Sequence, residues 1–212
     1  MRNKAFLAAV AAALVVLVSA HAQPKAEKSP DEETIRKGAE RYCDAFNSGD
    51  LDALRAQIGA ARNAGVDTVM VQPMIMGLSN FARLAAENRD MAFFAHPTLA
   101  GAARIAPQFL FGKVFRMLGA DALVFPNHGG RFGYTPETCR AIAETALAEW
   151  HGLKPAVPVP AGGMTTNRVG EMLDFYGSEV MLLIGGALLD ARERLTEATA
   201  AFVETVKGYR YG

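Results

Sequence analysis

The sequence predicts an α/β chain built on a parallel sheet, and two observations carry that prediction. From about residue 57 short, uninterrupted apolar runs alternate with amphipathic helical stretches, the pattern of strands covered on both faces. The pairs recur at roughly 25–35 residues, the size of a βα unit, and there are about five of them. Five such units fit an open doubly wound sheet or part of a (β/α)8 barrel; a complete barrel takes about 250 residues.

The elements follow in order. Residues 1–22 open with Arg2 and Lys4, continue as an apolar run from Ala5 to Val18 and close on Ala20-His21-Ala22. That is the layout of a cleaved export signal. The run of about 14 residues would reach roughly 21 Å as a helix, short of a bilayer core of roughly 30 Å. The expected location is therefore periplasmic or secreted, with no membrane span after cleavage. Residues 23–30 read as a polar, proline-bounded linker. Residues 31–56 read as helical: acids at 31–33 suit a helix start, Ile35, Ala39, Tyr42, Cys43 and Phe46 recur at helical spacing, and Asp50 caps a second helix carrying Leu51 and Leu54. From there the expected strands are Thr68–Gln72, Met91–Ala95, Ala122–Phe125, Pro155–Pro160 and Val180–Ile184. The expected helices are Leu78–Glu87, Ala103–Leu118, Pro136–Trp150, Thr166–Tyr176 and a final one to about Lys207.

Composition narrows the chemistry. Lys+Arg 22 balance Asp+Glu 22, which argues against a dedicated nucleic-acid binder. Two cysteines, Cys43 and Cys139, exclude a disulfide framework and a cysteine-built zinc site, and both read as core residues. The segment Phe109–Phe115 reads as packing, and His151 beside Gly152 reads as a helix-end cap.

In parallel α/β folds the working residues follow the carboxyl ends of the strands. His96 follows the second strand, Asn127-His128-Gly129-Gly130-Arg131 the third, Ala161-Gly162-Gly163 the fourth and Gly185-Gly186 the fifth. Two Gly-Gly pairs on consecutive strands, each leading into a helix, suit a phosphate cradle, because glycine lets backbone N–H groups approach an anion. His128 is of a type that moves protons near neutral pH, and Arg131 of a type that clamps phosphate. His96 is a strand-end histidine with the same capacity.

The run MAFFAHPTLAGA, ADALVFPNHGGRFGYTPETCRAI, VPVPAGGMT and FYGSEVMLLIGGALL resembles the C-terminal catalytic barrel of the RuBisCO large-subunit superfamily, and within it the RuBisCO-like, or form IV, branch. The resemblance covers about residues 57–212. It implies a partial (β/α)8 barrel and a phosphorylated, sugar-like substrate. It implies that His96 meets substrate oxygens, while Pro97 stands where carboxylating members have a phosphate-binding arginine. Arg131 falls at the position of the mobile-loop lysine that steers carboxylation, which speaks against carboxylation. Ala161 replaces a substrate-binding serine, Gly162, Gly163, Gly185 and Gly186 keep the phosphate turns, and Asn127 and His128 belong to the RuBisCO-like branch.

The implied chemistry is Mg2+-assisted enolisation or isomerisation of a phosphorylated ketose in a homodimer. The lysine, aspartate and glutamate of the family's second strand, and the lysine of its first, have no counterpart here, so the chain alone is expected to be weak or inactive. Residues 31–56 resemble the opening helices of SnoaL-like domains. Two other readings follow: an exported, non-catalytic remnant that binds anions or dimerises through exposed sheet edges, and a disrupted SnoaL-like periplasmic domain. If the join near residues 54–62 is artefactual, the expected location becomes cytoplasmic.

Overall fold

The computed structural model describes residues 33, 37, 40, 44, 49–130 and 132–211. The expected signal, linker, His21, Cys43 and Arg131 lie outside the described residues, as does most of the 31–46 helix. Glu33, Lys37, Glu40 and Asp44 are helical and exposed, with Lys37 and Glu33 paired at 2.7 Å. Among the described residues no helix is long and apolar enough to cross a membrane. The sheet holds four strands in the order β1-β2-β3-β4, the α/β architecture the sequence predicts. The chain divides into two compact units at Phe93/Phe94, inside β2.

In the first unit α1 (Leu51–Asn63) starts where Asp50 accepts the N–H groups of Asp52 and Ala53. It buries Leu54 and Ile58, and β1 (Thr68–Val71) follows. After one helical turn at Pro73–Met76, Gly77 takes φ 93° and opens α2 (Leu78–Glu87). Phe81 and Leu84 on α2 are fully buried, and Phe81 meets Phe93 of β2 (Ala92–Ala95) edge to face at 6.0 Å.

The second unit carries the end of β2, where Phe94 and Ala95 pair in parallel with Ala122 and Leu123 of β3 (Ala122–Pro126). β3 pairs in parallel with β4 (Val157–Ala161) from Ala122↔Val157 to Pro126↔Ala161. Between β2 and β3, α3 begins at Pro107 rather than Ala103: one turn at Pro107–Phe109 continues as a π-helix over Leu110–Phe115. Proline at the first helical position holds Ala106 in extended backbone, which sets the later start. Phe111 and Phe115 are buried as expected, but Phe109 is about half exposed. Between β3 and β4, α4 (Pro136–Leu147) is capped by the Thr135 hydroxyl, which accepts the Thr138 N–H, and it buries Cys139. α4 ends at Leu147 rather than Trp150. His151 is therefore no cap; it sits in an exposed turn beyond the helix with φ 50°.

The expected fifth strand is a correction. Val180–Ile184 meets β4 through a single bridge, Ala161↔Leu183, and the bond from Met181 N–H to Pro158 O. On β4 the N–H of Val157 and the carbonyl of Ala161 face β3, bonding Asp121 O and Asn127 N–H. Pro158 and Pro160 therefore turn their ring nitrogens toward the 180–184 segment and have no hydrogen to give it, so a regular ladder cannot form. After β4, a 3-10 turn at Thr166–Arg168 leads into α5 (Val169–Tyr176), and α6 (Leu195–Gly208) closes the unit. Val169, Met172 and Leu173 of α5 share a core with Met164 and Phe202.

Candidate functional site

The site is built where β3 and β4 end. β3 is almost wholly buried, and the N–H of the next residue, Asn127, donates to Ala161 O at 2.8 Å. That bond ties the residue after β3 to the last residue of β4, so the two following loops leave side by side. Asn127 has no solvent exposure; its Oδ1 accepts the Tyr176 hydroxyl at 2.7 Å and its Nδ2 points to Met172 Sδ at 3.0 Å. Its amide thus anchors the loop to α5, and burial pushes the Tyr176 phenol well above its ordinary range.

His128 follows with its ring against Phe175, centroids 4.5 Å apart, and its Nε2 is shielded from solvent with no hydrogen-bond partner among the described residues. Burial first, then the nearby Arg168 charge, holds its pKa below the ordinary 6.5. Next, Gly129 has φ 69°, and Gly162 and Gly163 have φ 92° and 68°. A Cβ on Gly130 would lie 2.8 Å from Gly162 O, and one on Gly163 would lie 2.9 Å from the Gly130 Cα. The two loops therefore touch backbone to backbone, an approach only glycine permits. Phe132 stands over Gly162, its ring 3.4 Å from where a Cβ would be.

The structure brings together Asn127, His128, Ala161, Gly162 and Gly163. The Ala161↔Leu183 bridge sets Gly185 and Gly186 just beyond the same rung, where Gly186–Leu189 makes one helical turn. His96 is held apart in its contacts: its Nδ1 meets the Thr98 hydroxyl at 2.6 Å, and burial lowers its pKa. Sequence reasoning missed Arg168. Its Nε and Nη2 grip the Glu171 carboxylate at 2.9 and 2.8 Å, while Nη1 donates to Gly163 O at 3.1 Å and Nη2 to His128 O at 3.3 Å. The available signal was an Arg-x-x-Glu pair opening the helix just after a Gly-Gly turn.

The chain is 50% identical over 186 residues, 88% of its length, to ribulose bisphosphate carboxylase-like protein 1 of Rhodopseudomonas palustris, covering 50% of that protein. It is 56% identical over 171 residues, 81% of its length, to 5-methylthioribulose-1-phosphate isomerase of Rhodospirillum rubrum, covering 46% of it. Among solved structures, the Rubisco-like protein from Rhodopseudomonas palustris superposes with a TM-score of 0.70 at 45% identity, over 76% of this chain and 44% of that one. The relatives that this barrel portion matches are RuBisCO-like proteins.

The chain spans about half the length of the curated relatives it matches. No family model matches it. The octameric RuBisCO of Pyrococcus horikoshii, with a TM-score of 0.68 at 20% identity, shares the fold. The alignment to the first relative also bears on the expected boundary at residue 57. Residues 57–212 number 156, so 186 aligned residues extend the RuBisCO-like correspondence at least 30 positions further toward the amino end.

Proposed function

We propose that this RuBisCO-like chain is part of an enolase- or isomerase-type enzyme acting on a phosphorylated ketose, and that its share of the site holds the phosphate. The observation that carries the reading is the backbone-to-backbone seat of Gly129-Gly130 on Gly162-Gly163 beside an arginine. Such a seat exposes main-chain groups at the carboxyl end of the sheet, where anions are held in these folds. The relative named 5-methylthioribulose-1-phosphate isomerase suggests a methylthiopentose phosphate as substrate, and others named 2,3-diketo-5-methylthiopentyl-1-phosphate enolase suggest the same class.

The Mg2+ that the resemblance implies finds no fitting ligand set: among the described residues no group of three or more His, Cys, Asp or Glu side chains could hold a metal ion. No step is therefore assigned through it. The proton chemistry proposed for this chain falls to His96. Its ring is kept neutral near pH 7 by burial and is oriented by Thr98, so it is poised to exchange a proton with a substrate hydroxyl. His128 in this arrangement supports the loop by packing on Phe175. The chain alone is expected to bind phosphate but to turn over weakly, and the homodimer belongs to the same proposal.

Calorimetric titration of the chain with inorganic phosphate and with 5-methylthioribulose 1-phosphate tests the reading. Saturable binding of both, lost in Gly163→Val, is the expected result. No binding of either to a folded chain would sink it.

A further inference from the structure

We infer that Arg168 is the positioning residue of the proposed phosphate site, tying the loop after β3 to the loop after β4 and presenting one remaining N–H to the cradle between them. This rests on the phosphate reading above. An Arg–Glu pair three residues apart on a helix normally lies out in solvent and contributes little. Arg168 differs: its side chain is 18% exposed and runs back across the helix start to two carbonyls on different loops. The guanidinium lies along the glycines. A Cβ on Gly129 would be 3.1 Å from Nη2 and one on Gly163 would be 3.6 Å from Nη1, so these positions leave the plane its room.

The donor inventory is almost closed. Arginine has five N–H groups. The Nε hydrogen and one on Nη2 go to Glu171, the second on Nη2 goes to His128 O with Met172 Sδ at 4.0 Å, and one on Nη1 goes to Gly163 O. The other Nη1 hydrogen has no acceptor among the described residues, and Nη1 itself lies beside Gly129 and Gly163. Glu171 fixes the plane through two parallel bonds, a geometry that lysine, a point charge, cannot copy. The cation is thus pre-set: most of its donors hold the two loops in place and one is left for an incoming anion.

The test uses the whole chain with Arg168→Lys and Arg168→Met, read by hydrogen–deuterium exchange over residues 127–130 and 161–163 and by titration with inorganic phosphate. Both variants should exchange faster in both loops, and both should bind phosphate about tenfold more weakly, the scale of one charge-assisted bond lost. Wild-type exchange in both variants overturns the clamp. So does wild-type phosphate affinity in Arg168→Lys, which would mean that charge alone suffices. Faster exchange in the variants of a chain that itself binds no phosphate would support the clamp and overturn the phosphate reading beneath it.

Discussion

Two arginines clasp the two ends of the β3–β4 pair, and they do it differently. At the amino end, Arg116 from the end of α3 is 4% exposed. Its acceptors are all backbone carbonyls: Lys154 O at 2.6 Å, Ala148 O at 2.8 Å, Thr145 O at 3.4 Å and Leu153 O. Two of these belong to the last turn and cap of α4, so the cation sits on the negative end of a helix, which offsets the cost of burying it without a carboxylate. At the carboxyl end, Arg168 divides its donors between Glu171 and two loop carbonyls and stays partly open to solvent. The first clasp closes every acceptor it touches and serves stability. The second keeps a paired, partly exposed cation beside glycine backbone, the arrangement on which the proposed phosphate site rests.

Breaking the amino-end clasp should have the largest effect. Arg116→Met leaves four carbonyls without their donor, and a loss on the order of 3–4 kcal/mol is expected. It would be read as a lower urea midpoint at unchanged slope. Phosphate affinity should hold within about twofold while the chain stays folded, because sites that share no partners add independently. A loss under about 1 kcal/mol would show that the carbonyls find water instead and that the clasp is dispensable.

At the other end Gly130→Ala is the sharper probe. The new methyl would fall 2.8 Å from Gly162 O and 3.1 Å from its carbonyl carbon, both backbone atoms that cannot step aside alone. The loops must part, at about 1–3 kcal/mol, the usual cost of overpacking. The larger consequence should be functional, with phosphate binding weakened more than by either Arg168 variant. An unchanged phosphate titration in a correctly folded Gly130→Ala chain would mean that the seat of the two loops does not shape the site.

The same contrast explains what was legible in the residues. The βα rhythm, α2 to the residue, and the placing of Asn127, His128, Gly162 and Gly163 at adjoining strand ends follow from apolar periodicity and from the rule that loops after parallel strands sit together. The fifth strand was misread because VMLLI is apolar and β-prone in itself; what undoes it is two prolines on the neighbouring strand, a pairing that local periodicity does not register. Arg116 and Arg168 were passed over for a related reason. Each acts on carbonyls up to about 40 positions away, at Lys154 and at His128, and backbone acceptors leave no mark in a sequence. The packing of Asn127 and His128 against α5 likewise depends on Tyr176 and Phe175 arriving from another element.

The smallest effect expected is a pH dependence at the carboxyl end. His128 titrates below its ordinary value in the folded chain because burial and Arg168 disfavour its charge, with Arg140 adding to that and Glu171 and Glu137 opposing it. The unfolded chain therefore binds the extra proton more readily, and stability is full above about pH 6.5 and falls as the pH drops below it. His128→Phe keeps an aromatic ring on Phe175 and removes the titrating nitrogen with no hydrogen-bond partner. Its melting temperature should fall less between pH 7 and pH 5 than that of the wild type. A residual slope belongs to His96, whose pKa is depressed by burial in the same direction, and toward pH 5 to carboxylates held low by their partners, such as Glu87 and Glu171. Identical acid limbs in the two proteins would place the ring of His128 in water rather than against α5, and would weaken the picture of a loop anchored from behind so that its glycines can face a ligand.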